Sequence, residues 1–434
     1  MHVFLGFALV NPVMAKIYGQ LIFVIGLISI IISKNNRNQA FKWSMYIMGV
    51  EVLMRMNSGF IFSEFAKYAI IVYIIIALLI EKKKHLVQVS FIIYLLTLLI
   101  AIAFVPYYDL DKIRQEIAFN LSGPFLLGLS AIYFYNRNIN YKSLIIGLYY
   151  FVLPLITMSA FLFYKTPNLK EIVFKSAANF DTTAGFGPNQ VSTSIGFGIF
   201  VIVVLFLVKK RITGFLILDF FVLIYLIFRG LLTFSRGGMI AGLAGVIVFS
   251  FFYSIASQKK MILFSKYFIV SIILLFGVFL YTSSVTNGIL TNRYTGKNTF
   301  GETKEDVLSG RTGYLELELQ AFYENPIFGV GAGGSKYYRN NHTNRYIGSS
   351  HNEMSRLLSE HGVFGLAMLL FLIIVPLRKN RSKPKIEKAF LYSFYLFWFL
   401  TINHSAMRLA FPAFIYGMSL MNINFNEKNT LHRK

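Results

Sequence analysis

Long apolar runs separated by short polar breaks recur along the whole chain. Spans are expected near 17–33, 40–56, 59–80, 86–104, 117–136, 142–163, 190–209, 212–229, 236–256, 262–281, 363–377, 389–402 and 409–423. Most approach the ~20 residues that carry a helix across a bilayer core. Residues 2–13 read as a short further span or a re-entrant start, so the pattern predicts about twelve to fourteen transmembrane helices. The expected fold class is all-α, a polytopic membrane protein.

One polar break is far longer than the others. Residues 282–362 form a loop much longer than the ~15 residues beyond which loops are usually functional or disordered. Inside it Leu315, Leu319 and Phe322 share one helical face between about Thr312 and Tyr323, and Pro326 stops that helix. The stretch 291–306 is polar and expected to be mobile. The stretch "GSSHNEMSRLLSEHGVFG", Gly348 to Gly365, leads into the next span. Ser350 and Glu353 fit an S-x-x-E capping box, which would place His351 in the first turn of a helix.

Composition agrees with the pattern: 56% of the 434 residues are hydrophobic and 14% charged, with a mean hydropathy of +0.60. A net charge of +23 could suit nucleic acid, but its placement argues otherwise. The basic residues sit in short clusters between spans: Lys34 and Arg37; Lys82, Lys83 and Lys84; Lys209, Lys210 and Arg211; Lys259 and Lys260; Arg378, Lys379, Arg381, Lys383 and Lys385. That is the positive-inside pattern. Alternation puts the clusters and the C-terminal tail on one side, the cytoplasm. The loops 105–116, 164–189, 229–236 and 282–362 fall on the other. The absence of cysteine excludes disulfides and cysteine–zinc sites. Residues 1–14 are apolar but lack the basic start of a cleavable signal peptide.

Several side chains stand out as chemistry. Gly329, Gly331 and Gly334 match G-x-G-x-x-G, but they follow a helix rather than a strand, so a tight turn is the better reading. Asp109 and Asp111 form a D-x-D that could hold a divalent ion. His342, His351 and His361 make no i, i+4 pair, which argues against zinc. Glu51 and Arg55 are spaced for an ion pair inside a span, and Asp219 there needs a partner or a cavity.

Arg229 and Arg236 bracket an outer turn, and Arg311 opens the loop helix. Guanidinium forks suit phosphate oxygens. The plainer reading of Arg229 is a snorkelling anchor, whereas glycines beside Arg236 would leave room for a ligand. His351 at a helix start would keep a neutral, basic ring close to an anion-binding terminus. Such a site would lie at the outer bilayer interface.

Four segments in order, "FSRGG", then "SGR", then "NPIFGVGAGG", then "SHNEMSRLLSEHGVFG", with "GPNQVSTSIGFG" before them, resemble the O-antigen ligase/polymerase family over about 187–377. The resemblance implies a GT-C-like glycosyltransferase with a large helical extracytoplasmic loop, in a bacterial inner membrane, its active site on the periplasmic or outer face. It implies no metal or other cofactor and inversion at the anomeric centre. The donor would be an undecaprenyl-diphosphate-linked glycan, and the acceptor a hydroxyl of lipid A core or of another glycan. Arg236 and Arg311, with Arg229 as a further candidate, would hold the diphosphate. His351 would be the general base, supported by Ser350 and Glu353.

The expected organisation is an N-terminal bundle (1–186), a catalytic region (187–377) and C-terminal helices with a cytoplasmic tail (378–434). The compact catalytic half leans to a ligase. The alternatives are a repeat-unit polymerase with the same donor, a lipid-linked oligosaccharide flippase, and a metal-dependent enzyme centred on Asp109 and Asp111. A flippase usually shows pseudo-symmetric halves, which this chain lacks.

Overall fold

A computed structural model describes residues 1–82, 88–105, 110–303, 311–343 and 350–425, without side chains at 110–113, 259–260, 263–271 and 311. The helices run in the order α1 (His2–Ala8), α2 (Pro12–Ser33), α3 (Gln39–Met56), α4 (Phe65–Ile80), α5 (Val89–Ile100), α6 (Leu110–Phe134), α7 (Tyr141–Lys165), α8 (Pro188–Leu207) and α9 (Leu216–Leu232). They continue as α10 (Arg236–Ser254), α11 (Gln258–Val285), α12 (Ile289–Tyr294), α13 (Arg311–Glu324), α14 (Gly334–Thr343), α15 (Glu353–Asn380), α16 (Lys385–Ile402) and α17 (Ala410–Met418). Strands β1 (Asn138–Asn140) and β2 (Asn422–Asn424) pair in parallel and are the departure from an all-helical chain.

Every expected span coincides with a helix, and among the described residues six helices are long and apolar enough to cross a membrane. Three shorter apolar helices join them. The chain is a polytopic helical membrane protein. The expected span at 409–423 is shortened to the nine residues of α17, all buried. Charged α3 is also enclosed, so neighbouring helices rather than lipid surround its polar side chains. Helix α1 rises only ~10 Å and cannot cross a bilayer core. His2 bonds Thr157 at 2.8 Å, and Asn57 donates to the Leu9 carbonyl at 2.9 Å. Those ties support the re-entrant reading of residues 2–13.

The basic loops gather at one end of the bundle. Arg137 donates to Glu81 at 2.7 and 2.9 Å, and Asn35 bonds the same carboxylate. Lys383 reaches Asn422 at 2.6 Å, and Lys385 reaches the Ile255 carbonyl at 3.3 Å. Asp219, expected inside a span, instead sits in the first turn of α9. It accepts from the backbone N–H groups of Ile212 and Thr213, each at 2.9 Å.

The opposite end carries the long loops. The start of α10 is set by close helix approach: a Cβ at Gly238 would meet Ser192 and Thr193 of α8 within 2.5 Å. Gly242, one turn on, lies as close to Gly196. This is a G-x-x-x-G contact, the small-residue packing that brings membrane helices together. The described part of 291–306 is held in place rather than free. Ser176 bonds both Thr299 and the Lys297 carbonyl, at 3.1 and 2.6 Å.

Candidate active site

The site grows from the turn between α9 and α10. Phe234 takes a φ of +53°, uncommon for a residue with a side chain, and delivers the chain to Arg236 at the head of α10. Arg236 donates from Nη1 to the Arg293 carbonyl at 3.2 Å, and Arg293 donates from Nε to the Phe234 carbonyl at 3.1 Å. Two guanidinium groups are thereby tied to one turn. Ser235 donates to Asn189 at 2.7 Å, which fixes the "GPNQ" entry of α8 to the same place.

The glycines beside Arg236 leave room for protein, not for a ligand. A Cβ on Gly237 would fall within 2.4 Å of the His404 ring. His404 begins the connection between α16 and α17, whose Ala406 donates its N–H to the His351 carbonyl at 3.0 Å. Arg408 follows, donating from Nη2 to the Ser350 carbonyl at 2.9 Å. The connection 404–408 thus links the Arg236 turn to the His351 segment.

The capping box is not formed. Asn352 is the N-cap of α15, accepting from Met354 N–H at 2.9 Å, so His351 lies just before the helix rather than in its first turn. Asparagine is as good a cap as serine, and both proposed partners are engaged elsewhere. The Ser350 hydroxyl faces Glu318 at 3.2 Å and the Asn352 carbonyl at 3.1 Å. Glu353 pairs with Arg356, which also reaches Glu360 at 3.0 Å and the Asn120 side chain of α6 at 3.1 Å. Asn120, Ser350, Glu353, Arg356 and Arg408 line a small polar cleft beside the His351 turn.

Glu318 on α13 closes the turn from the far side. It pairs with Arg339 of α14 and accepts from Ser355 as well as Ser350. Burial raises its carboxyl above the usual carboxylate range, while the Arg339 guanidinium and the serine hydroxyls pull it back part of the way.

The glycine-rich segment is the expected tight turn. Gly329, Gly331 and Gly333 have φ of +71°, +82° and +79°. A Cβ at Gly331 would lie 2.3 Å from the Phe104 carbonyl. The turn docks where α15 breaks at Gly362, with Val363 N–H donating to the Pro326 carbonyl at 2.7 Å.

Arg229 departs from its expected role as a snorkelling anchor. Its guanidinium is buried, 4% exposed, rather than snorkelled. Nη2 donates to Thr166 Oγ1 at 2.6 Å and the Thr182 carbonyl at 2.7 Å, so that nitrogen is held by protein acceptors. Arg311 opens α13, but its side chain lies outside the described residues, as do Asp109 and the Asp111 side chain. Among the described residues no group of three or more His, Cys, Asp or Glu side chains is placed to hold a metal ion. Glu51 and Arg55 do pair, at 3.5 Å, and Arg55 also donates to the Arg408 carbonyl at 2.9 Å.

Sequence reasoning missed Arg293, Arg408, His404 and the Glu318–Arg339 pair. The polar hexad "NHSAMR" between two apolar runs, on the outer side by alternation, was the available signal for His404 and Arg408.

The class defined by the fold is a polytopic helical membrane protein, with arginines and a histidine gathered at the end of the bundle away from the basic loops. The family described as O-antigen ligase matches residues 221–370, about a third of the chain, which therefore carries an O-antigen ligase domain. The matched stretch runs from α9 through the outer loop into α15 and contains Arg236, Arg311 and His351. That domain is of glycosyltransferase type and belongs to polysaccharide biosynthesis, and its family implies lipid-linked glycan substrates. No curated protein matches the chain.

Proposed function

We propose that the protein transfers a glycan from undecaprenyl diphosphate to an acceptor hydroxyl of lipid A core, with inversion and without a metal ion, at the outer face of a bacterial inner membrane. The observation that carries this reading is the connection 404–408. It packs His404 against Gly237 beside Arg236 and bonds the His351 carbonyl through Ala406.

In this mechanism Arg236 and Arg311 grip the diphosphate, whose charge grows as it leaves. Guanidinium donors stabilise that charge where it develops. The acceptor oxygen attacks the anomeric carbon from the opposite face, and the bond from that carbon to the diphosphate oxygen breaks. His351 takes the acceptor proton in the same step. A positioned base is worth about 10²–10⁴ in rate. The cytoplasmic placement of the basic end rests on the positive-inside pattern. The catalytic region is 187–377 on this reading, flanked by bundles at 1–186 and 378–434.

The acceptor is tested by surface glycan analysis of a deletion strain. Lipid-linked polymer accumulating beside unmodified core is the expected result. Core carrying single repeats would instead indicate the polymerase, which uses the same donor.

A further inference from the structure

We propose that Glu318 is a positioning residue for His351, a single carboxylate that holds both sides of the turn carrying the histidine. The inference rests on the reading of His351 as the base.

Ser350 stands immediately before His351, and Ser355 lies in the first turn of α15. Both hydroxyls reach Oε2 of Glu318, that of Ser350 at 3.2 Å. Arg339 takes Oε1, and the Tyr314 ring lies 5.5 Å from that guanidinium. Glu318 is 1% exposed and Arg339 fully buried. A buried ion pair of this kind is seldom a net source of stability, because desolvation offsets the attraction. What it supplies here is direction. The pair orients the carboxylate, and the carboxylate draws the two serines to one point, so the backbone between them has little freedom.

The placement of Glu318 on α13 gives that rigidity a purpose. Arg311 begins the same helix seven residues earlier. Seven residues are close to two helical turns, so the two positions fall on one side of the helix, ~10 Å apart along its axis. Glu318 therefore sets the turn of His351 against the helix that Arg311 opens. On the other side of the turn, Ala406 and Arg408 hold the His351 and Ser350 carbonyls. A misplacement of ~1 Å at a reacting group costs about 10²-fold in rate, so a clamp of this kind acts on turnover and not on donor affinity.

The test uses the full-length purified protein with lipid-linked donor and acceptor. Glu318→Gln keeps the volume and removes the charge. The pair Ser350→Ala with Ser355→Ala keeps the Glu318–Arg339 ion pair and removes the clamp together with the Ser350 bonds to Asn352, and Ser355→Ala alone leaves those bonds in place, so the set remains informative if Glu318→Gln fails to fold. Thermal unfolding is measured on each. The expected result is a fall in kcat of about 10–100-fold with donor KM within about twofold. In a His351→Ala background the serine pair should lower the residual rate no further. A wild-type kcat in the folded serine variant overturns the inference and leaves the base reading standing. So does an equal loss in the His351→Ala background, because the serines would then act on something other than His351. A wild-type rate in His351→Ala alone overturns both.

Discussion

Ala406 donates its backbone N–H to the carbonyl oxygen of His351 at 3.0 Å. The bond joins the connection between α16 and α17 to the turn before α15, and that connection also packs against the head of α10 through His404 and Gly237. The histidine is thus placed by its backbone and not by a helix cap. The loop after α16 belongs to the site as much as the long outer loop does.

Arg408 should matter to turnover for this reason. Its guanidinium holds the Ser350 carbonyl and its own carbonyl is held by Arg55. Arg408→Ala should lower kcat by about tenfold or more, the scale of a small displacement at the reacting group. Steady-state kinetics on the purified variant check this, and an unchanged kcat would show the turn is held well enough without it.

Arg236 and Arg229 should separate cleanly. Arg236→Lys keeps the charge but loses the fork, so donor turnover should fall almost as far as in Arg236→Ala. Arg229→Ala should instead weaken the fold. It removes the donor to the buried Thr182 carbonyl, a loss worth about 1–3 kcal/mol when an acceptor is left unpaired, and the bonds to Leu162 and Thr166. The expected signature is a lowered unfolding temperature with donor KM unchanged in the folded fraction. A normal unfolding temperature with lost donor binding would return Arg229 to the diphosphate site.

Gly331→Ala should fail in a way that surface substitutions do not. Its φ is +82°, and a Cβ there would meet the Phe104 backbone at 2.3 Å. Positive φ costs a residue with a side chain of order 1–3 kcal/mol before any clash is counted. Yield of folded protein and its unfolding temperature are the measurements, and a wild-type value for both would contradict the close approach of Phe104, just after α5, to the glycine turn.

Sidedness is checked by reporters. A fusion after Gly301 should report outside and one after Lys383 inside, because the positive-inside pattern puts the basic loops in the cytoplasm and the loop 282–362 across the membrane from them. Both on one side would break the assignment of the span between them.

The membrane class and the helix positions were legible because apolar length is a strong local signal, and the glycine turn because it follows a helix. The capping box misled. Ser350 and Glu353 have the right spacing, but Asn352 lies nearer the first helical turn, and Arg356 and Glu318 compete for the two side chains. Arg229 and Arg236 looked alike in sequence. Only tertiary packing distinguishes a guanidinium enclosed by Thr166 and Thr182 from one half-buried at the head of α10. Glu318 and Arg339 gave no local signal, since each reads as an ordinary charge on a loop helix until the fold buries them together.

The charge of the leaving diphosphate is assigned to arginine, so glycan transfer should be unaffected by a chelator such as EDTA. Loss of activity in chelator, restored by a divalent ion, would move attention to Asp109 and Asp111.

The central claim is that His351 takes the acceptor proton. The direct measurement is glycan transfer by purified His351→Ala protein, with lipid-linked donor and acceptor supplied. Turnover is predicted to fall by about 10²–10⁴-fold, with donor binding and unfolding temperature close to wild type. Wild-type turnover in that variant would contradict the account.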